Sequence, residues 1–224
     1  MRYLVVWVFL WGWLCGVRVQ AQPAVQKQAL AIQFYQQSDY DKAAALFQEV
    51  LDADDRNYSA YQYLYACYLQ LNRFEDAEKW AVRMARKDAA QAGFEVDRGH
   101  ALRRQNEEKK ALAIYESLLK KMGPNRGQIM MLTNAFRNRG ENDHAIKALL
   151  RGRQLLAEPF AFALELADLY QLTGQKGPMV TAYLDYLAMA PQQLGYVQNM
   201  LQSRLAEEDY DMLRGVLLEG RQQR

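Results

Sequence analysis

The side chains that could carry out acid–base or metal chemistry are few and scattered. The chain contains two histidines, His100 and His144, and no partner cysteine, serine elbow or Gly-rich phosphate loop accompanies them. His100 lies one helical turn after Asp97, which suits a pair of metal ligands, but two ligands are too few for a metal site. A surface hydrogen bond is the better interpretation of this pair. The sequence therefore predicts no catalytic residue, no metal and no cofactor, and hence a protein that is not an enzyme.

Both histidines lie in predicted helices of a pattern that repeats at a constant interval along the chain. One column of the repeat is small and reads Ala43, Ala77, Ala111, Ala145 and Met179. A second column is large and apolar and reads Phe34, Tyr68, Leu102, Phe136 and Tyr170. A third favours a turn and reads Ser38, Asn72, Asn106, Gly140 and Gly174. A fixed period of about 34 residues is typical of stacked helix pairs rather than of a globular enzyme domain.

Each unit of the repeat is expected to form two helices with a turn between them, because helical spacing of apolar residues stops and resumes at the turn column. The predicted units are residues 24–57, 58–91, 92–125, 126–159 and 160–193. The second helices are expected to begin at Tyr40, Phe74, Glu108, Asn142 and Lys176. Residues 194–224 form either a degenerate sixth pair or the start of a continuation.

Residues 1–21 are typical of a secretory signal peptide. A charged start at Arg2 is followed by an apolar run over residues 3–17 and a small residue at Ala21. The run is shorter than the roughly 20 residues that span a bilayer, although an uncleaved anchor is the alternative. Cleavage removes two arginines and leaves 26 basic residues, equal in number to the 26 acidic ones. This balance argues against nucleic acid as a partner.

The repeat resembles the tetratricopeptide repeat (TPR) family. The shared features are small residues at Ala31, Gly99 and Ala167, aromatic residues at Phe34 and Tyr170, and the alanine column at Ala43. Tyr65 and Thr133 depart from the small column. The resemblance implies an all-α fold, a right-handed superhelical solenoid of about five to six helix pairs. More loosely, the exported array resembles the amino-terminal part of TPR proteins from Gram-negative envelopes, such as those of Bacteroidetes.

In this family the face of each first helix opposite its buried stripe lines a concave groove that holds a peptide. The resemblance places the following candidates in that groove: Tyr35, Gln62, Tyr63, Asp97, His100, Arg103, Arg104, Asn134, Arg137, Asn138, Glu165 and Asp168. The arginines would engage carboxylates, the asparagines the peptide backbone, and the tyrosines apolar side chains. The competing interpretation is a solvated face whose arginines pair with neighbouring acids.

The leading hypothesis is an exported, non-catalytic scaffold that binds a protein or peptide partner in cell-envelope assembly or secretion. Its expected location is the periplasm or the inner face of the outer membrane, with peripheral membrane association and self-association through the last helix pair as further expectations. The alternative is a recruiting or regulatory region of a larger envelope enzyme. A third hypothesis, RNA binding by a helical repeat, needs a basic groove and a chain that is not exported.

Overall fold

The computed structural model of the chain describes residues 22–222, so the predicted signal peptide, residues 1–21, lies outside the described part. Helices follow one another along this range, and none of the described residues lies in a strand. The helices are α1 Gln22–Gln36, α2 Tyr40–Ala53, α3 Tyr58–Gln70, α4 Phe74–Lys87, α5 Ala92–Arg104, α6 Glu108–Lys121, α7 Arg126–Asn138, α8 Asn142–Leu156, α9 Ala163–Leu172, α10 Lys176–Met189, α11 Leu194–Arg204 and α12 Tyr210–Gln222. The predicted all-α fold of repeated helix pairs is confirmed.

The helices begin where the repeat period places them. The second helices α2, α4, α6, α8 and α10 start at Tyr40, Phe74, Glu108, Asn142 and Lys176. Two first helices depart from the predicted units: α1 starts at Gln22 rather than at residue 24, and α9 starts at Ala163 rather than at residue 160. Ala157 and Phe162 both adopt left-handed backbone conformations, with φ of 53° and 58°. The segment between them therefore forms turns, and the strain at Phe162 is offset by burial of its ring.

The turn column ends each first helix in the same way. All five of its residues have positive φ, between 55° and 75°. The residue that follows each of them donates its backbone N–H to the carbonyl of the large apolar column, for example Asp39 to Phe34 at 2.9 Å and Glu141 to Phe136 at 2.9 Å. This is the Schellman arrangement, which satisfies carbonyls at a helix end. Serine, asparagine and glycine occupy the column because it needs a left-handed residue.

The described part of the chain divides into two compact units, with the boundary between residues 80 and 81. In the first unit, α1 packs on α2 and α2 on α3, around a core that includes Phe47, Leu51, Leu64 and Tyr68. In the second unit, the first and second helices of each repeat pair closely, and α12 packs on α10. No helix in residues 22–222 has the length and apolar character to cross a membrane.

Two core columns of the repeat, one on each helix of a pair, complement each other in size. Where the residue on the first helix is small, the residue on the second helix is large. Gly99 on α5 faces Tyr115 on α6 so closely that a Cβ at Gly99 would lie 2.2 Å from the tyrosine ring. The same order of sizes recurs in the fifth repeat, with Ala167 small and Tyr183 large, and all four residues are buried. Close approach of α5 and α6 thus depends on the missing side chain.

Candidate functional site

The three groove candidates of the first unit lie at its surface. Tyr35 contacts Tyr63 edge to face, with ring centroids 5.2 Å apart, while Gln62 is exposed. One face of Tyr63 stacks on Phe47 at 5.2 Å, and burial raises the pKa of Tyr35. The two tyrosines are therefore half-buried parts of an aromatic cluster, and their remaining surface could contact an apolar side chain of a partner.

Asp97 lies under the surface of the second unit rather than on it. Its carboxylate accepts a 2.6 Å hydrogen bond from Nε of Arg139, and the two side chains are 6% and 15% exposed. Asp97 is on α5, whereas Arg139 caps the end of α7. The pair therefore links two successive first helices, and the Asp97 carboxylate has a structural role in the contact between α5 and α7.

Arg103 is held by two acids of its own chain. Its guanidinium donates to both carboxylate oxygens of Glu108, at 2.8 and 2.7 Å, and a further nitrogen donates to Glu141. The hydrogen bonds to Glu108, with a contribution from Glu141, raise the pKa of Arg103 above its ordinary value. A guanidinium paired twice in this way has little capacity left for a partner carboxylate.

Glu141 is the buried centre of this cluster. Besides Arg103, it accepts a 3.2 Å hydrogen bond from the Tyr115 hydroxyl, and Nδ1 of His144 lies 3.6 Å away. Burial by itself would raise the pKa of the Glu141 carboxyl, but the donors on His144, Arg103 and Tyr115 outweigh it and lower the pKa. Because the backbone N–H of Glu141 closes the turn after α7, the cluster ties α5, α6 and α8 to that turn.

The two histidines do not form a metal centre. His144 packs its ring against Tyr115 and Phe136, with centroids 4.8 and 5.5 Å away. His100 is partly buried near Asp97, Arg139 and Glu141. Across the side chains that the structure describes, no three histidine, cysteine or acidic residues are placed to hold a metal ion.

His100 is expected to make stability depend on pH. Burial, and after it the charge of Arg139, lowers the pKa of His100 from its ordinary value near 6.5. The unfolded chain therefore binds a proton more readily, and the free energy of unfolding should fall as the pH drops below about 6.5, with a slope of at most about 1.4 kcal/mol per pH unit. Urea unfolding of the wild-type chain and of His100→Gln between pH 7.5 and 5 measures this contribution. The two curves should separate only below about pH 6.5; parallel curves would contradict the assignment.

The exposed face of α7 carries the remaining polar candidates of that helix. Asn134, Arg137 and Asn138 are all exposed and lie on one side of the helix because they are spaced by three and four residues. Arg104, at the end of the neighbouring α5, is also exposed. Among the described residues, no acid lies within ion-pair distance of Arg137.

The repeat register explains why Arg137 lacks the partners that Arg103 has. Arg137 occupies the same column as Arg103, one repeat later. The positions equivalent to Glu108 and Glu141 are Asn142 and Gln175, neither of which carries a charge. The arginine of this column is therefore neutralised by two acids in the third repeat, at Arg103, and keeps its positive charge in the fourth, at Arg137.

The acidic candidates on α9 differ from each other. Asp168 is exposed, and Arg204 on α11 lies 3.5 Å from its carboxylate. Glu165 is half-buried. The acidic candidates are thus partly paired, since Asp168 contacts α11, which follows α9 and α10 in the array.

Sequence reasoning missed the residues that neutralise the predicted site. Glu108, Glu141 and Arg139 lie at helix starts and turns, and none of them was among the predicted site residues. The signal in the sequence that could have identified Glu141 is its position in the repeat. Glu141 directly follows the turn column and so occupies a fixed place beside the preceding helix pair.

Comparison with known proteins supports the repeat assignment. A family model described as tetratricopeptide repeat matches residues 34–95. No curated protein matches the chain.

Several solved structures are similar to the chain. A thermophilic TPR protein of Thermus thermophilus is 20% identical, and the match covers 81% of this chain and 98% of that one, with a TM-score of 0.42. PilW, a widely conserved type IV pilus biogenesis factor, is 19% identical over 88% of this chain and 99% of its own, with a TM-score of 0.40. MamA is 18% identical over 78% and 96%, also with a TM-score of 0.40. In sequence, the chain is thus similar to the tetratricopeptide repeat family over residues 34–95.

Proposed function

We propose that the chain is an exported, non-catalytic scaffold that binds a protein or peptide partner in cell-envelope assembly or secretion. Its expected location is the periplasm or the inner face of the outer membrane. Three observations support the proposal: the repeated helix pairs, the family match over residues 34–95, and the apolar run with a charged start at the amino terminus. Export is tested by the first residue of the protein recovered from cells, which is Gln22 if the segment is cleaved.

The observation that carries the binding proposal is Arg137 on the exposed face of α7, which has no acid within ion-pair distance among the residues that the structure describes. An arginine binds a carboxylate through two parallel hydrogen bonds, and such pairs are stronger than neutral ones. Asn134 and Asn138, one turn before Arg137 and one residue after it, offer both donors and acceptors to the backbone of an extended peptide. The partner segment that fits this face is therefore extended and carries at least one acidic side chain or a terminal carboxylate.

Arg137→Ala is expected to weaken partner binding by on the order of tenfold or more while leaving the melting temperature unchanged, because Arg137 is exposed and unpaired. The partner is captured by cross-linking in intact cells and identified by mass spectrometry, and its affinity for purified variants is then measured by calorimetry.

The matched control is Arg103→Ala, which changes the same column one repeat earlier. It should lower the melting temperature, since it removes the arginine that pairs with buried Glu141, and should affect affinity less. Equal binding by Arg137→Ala and the wild-type chain would show that α7 is not the contact surface.

A further inference from the structure

A pocket of about 680 Å³ opens between α6 and α7 in the second unit, and α5 with the turn before it forms a further wall. Ile114 and Leu118 on α6, Met122 after it and Leu132 on α7 form an apolar lining. Met131 stands at the rim and is 51% exposed. The lining includes none of the groove candidates. A space of this size can accept several apolar side chains.

The charges around the pocket leave one cation uncompensated. On one wall, Arg98 pairs with Glu95 at 3.5 Å, and the Asp88 carboxylate accepts the backbone N–H of Ala90 at 3.2 Å. On the other wall, Lys121 is exposed at the end of α6. No acid among the described side chains lies within ion-pair distance of it. An occupant with apolar side chains next to a carboxylate would match both the apolar lining of the pocket and the positive charge of Lys121.

The helix α12 of the same unit carries that combination. Leu217 and Leu218 are 47% and 54% exposed, and the exposed Glu219 follows them directly. The other side of α12 packs on α10, and the start of α12 is fixed by a 2.8 Å ion pair between Asp209 and Lys176. Because α10 holds α12 in this way, α12 is not available to the pocket between α6 and α7 of its own copy.

We propose that α12 of one copy docks into the pocket between α6 and α7 of a second copy. Leu217 and Leu218 enter the apolar space, and Glu219 pairs with Lys121. The docking helix and the pocket are different parts of the molecule, so the contact is heterologous, and an open assembly keeps one free pocket at one end and one free helix at the other. The product is a head-to-tail series of copies whose length grows with concentration.

Sedimentation velocity of the chain as recovered from cells, over a range of concentrations, tests the proposal. The average mass of the wild-type protein should rise with concentration. Leu218→Glu on the helix and Met131→Glu at the pocket rim should each raise the dissociation constant by on the order of tenfold or more, because each places a carboxylate in an apolar contact. Leu172→Glu is the matched control: Leu172 is 64% exposed on α9, outside both surfaces, and its variant should assemble like the wild type.

Mixing the two variants separates this arrangement from a symmetric one. Leu218→Glu keeps an intact pocket and Met131→Glu keeps an intact helix, so an equimolar mixture should form one-to-one dimers and nothing larger. The charge pair is tested in the same way: Lys121→Glu should weaken assembly, and Glu219→Lys in the same chain should restore it. A wild-type protein that stays monomeric, an effect of Leu218→Glu without one of Met131→Glu, or a mixture that forms no dimer would each overturn the proposal.

Discussion

Replacing Asp97 by alanine is expected to lower the free energy of unfolding by about 3 to 5 kcal/mol, because it leaves the guanidinium of Arg139 buried without its carboxylate partner. The two side chains are 6% and 15% exposed and 2.6 Å apart, so little solvent reaches the guanidinium in place of the lost acceptor. Urea unfolding followed by circular dichroism measures the change. A shift of the midpoint at constant slope would show that the substitution has lowered the stability of the native state without changing the cooperativity of unfolding.

Asp168→Ala is the control for this experiment. Asp168 was predicted in the same groove as Asp97, but its side chain is 57% exposed and its pairing with Arg204 is long, at 3.5 Å. Exposed ion pairs contribute about 0 to 1 kcal/mol. If Asp97→Ala cost no more than Asp168→Ala, the Asp97 carboxylate would have to be accessible to solvent and therefore to a ligand.

Replacing Gly99 by leucine is expected to cost about 3 kcal/mol or more, at the upper end of what overpacked cores lose. Even a Cβ at this position would lie 2.2 Å from the ring of Tyr115, and the helix backbone cannot move away without disturbing its hydrogen bonds. Displacement of the ring would also break the bond from the Tyr115 hydroxyl to Glu141, which adds about 1 kcal/mol. Thermal and urea unfolding of the single variant measure the sum.

A double-mutant cycle shows whether the loss comes from the Tyr115 ring. Tyr115→Ala alone should be destabilising, but combined with Gly99→Leu it should cost less than the sum of the single changes, by about 1 kcal/mol or more. Gly195→Leu is the matched control, since a Cβ there meets nothing within 4 Å and the change should be nearly neutral. Additive losses in the cycle would assign the cost of Gly99→Leu to some other neighbour.

The positions of most helices could be predicted from the sequence because they depend on local rules that repeat. The left-handed turn residue, the carbonyl of the large apolar column and the small column all recur in each unit, so an error in one unit would have conflicted with the other four. The start of α9 could not be predicted in this way. It depends on Phe162, whose ring is buried and whose backbone is left-handed, a compromise between packing and strain that periodicity does not report.

The character of the candidate site was less predictable, because charge pairing joins residues that the repeat does not relate. Arg103 and Glu141 are 38 residues apart, and Asp97 and Arg139 are 42 apart, both more than one period. The candidates Asn134, Arg137 and Asn138 on α7 are all exposed, but their positions in the repeat cannot tell an arginine that has neighbouring acids from one that lacks them. That distinction is what separates Arg137 from Arg103, and it places the binding proposal on α7.

The close contact between Gly99 and Tyr115 determines which parts of the array can be exchanged by recombination. The helix α3 carries Tyr65 where α5 carries Gly99, so α3 could not substitute for α5 against α6, because two tyrosine rings would compete for one space. A transplant of α5 and α6 together keeps the match. The heritable module of this protein is therefore the helix pair with both of its core columns, and insertions or duplications that cut between the two helices of a pair should be selected against.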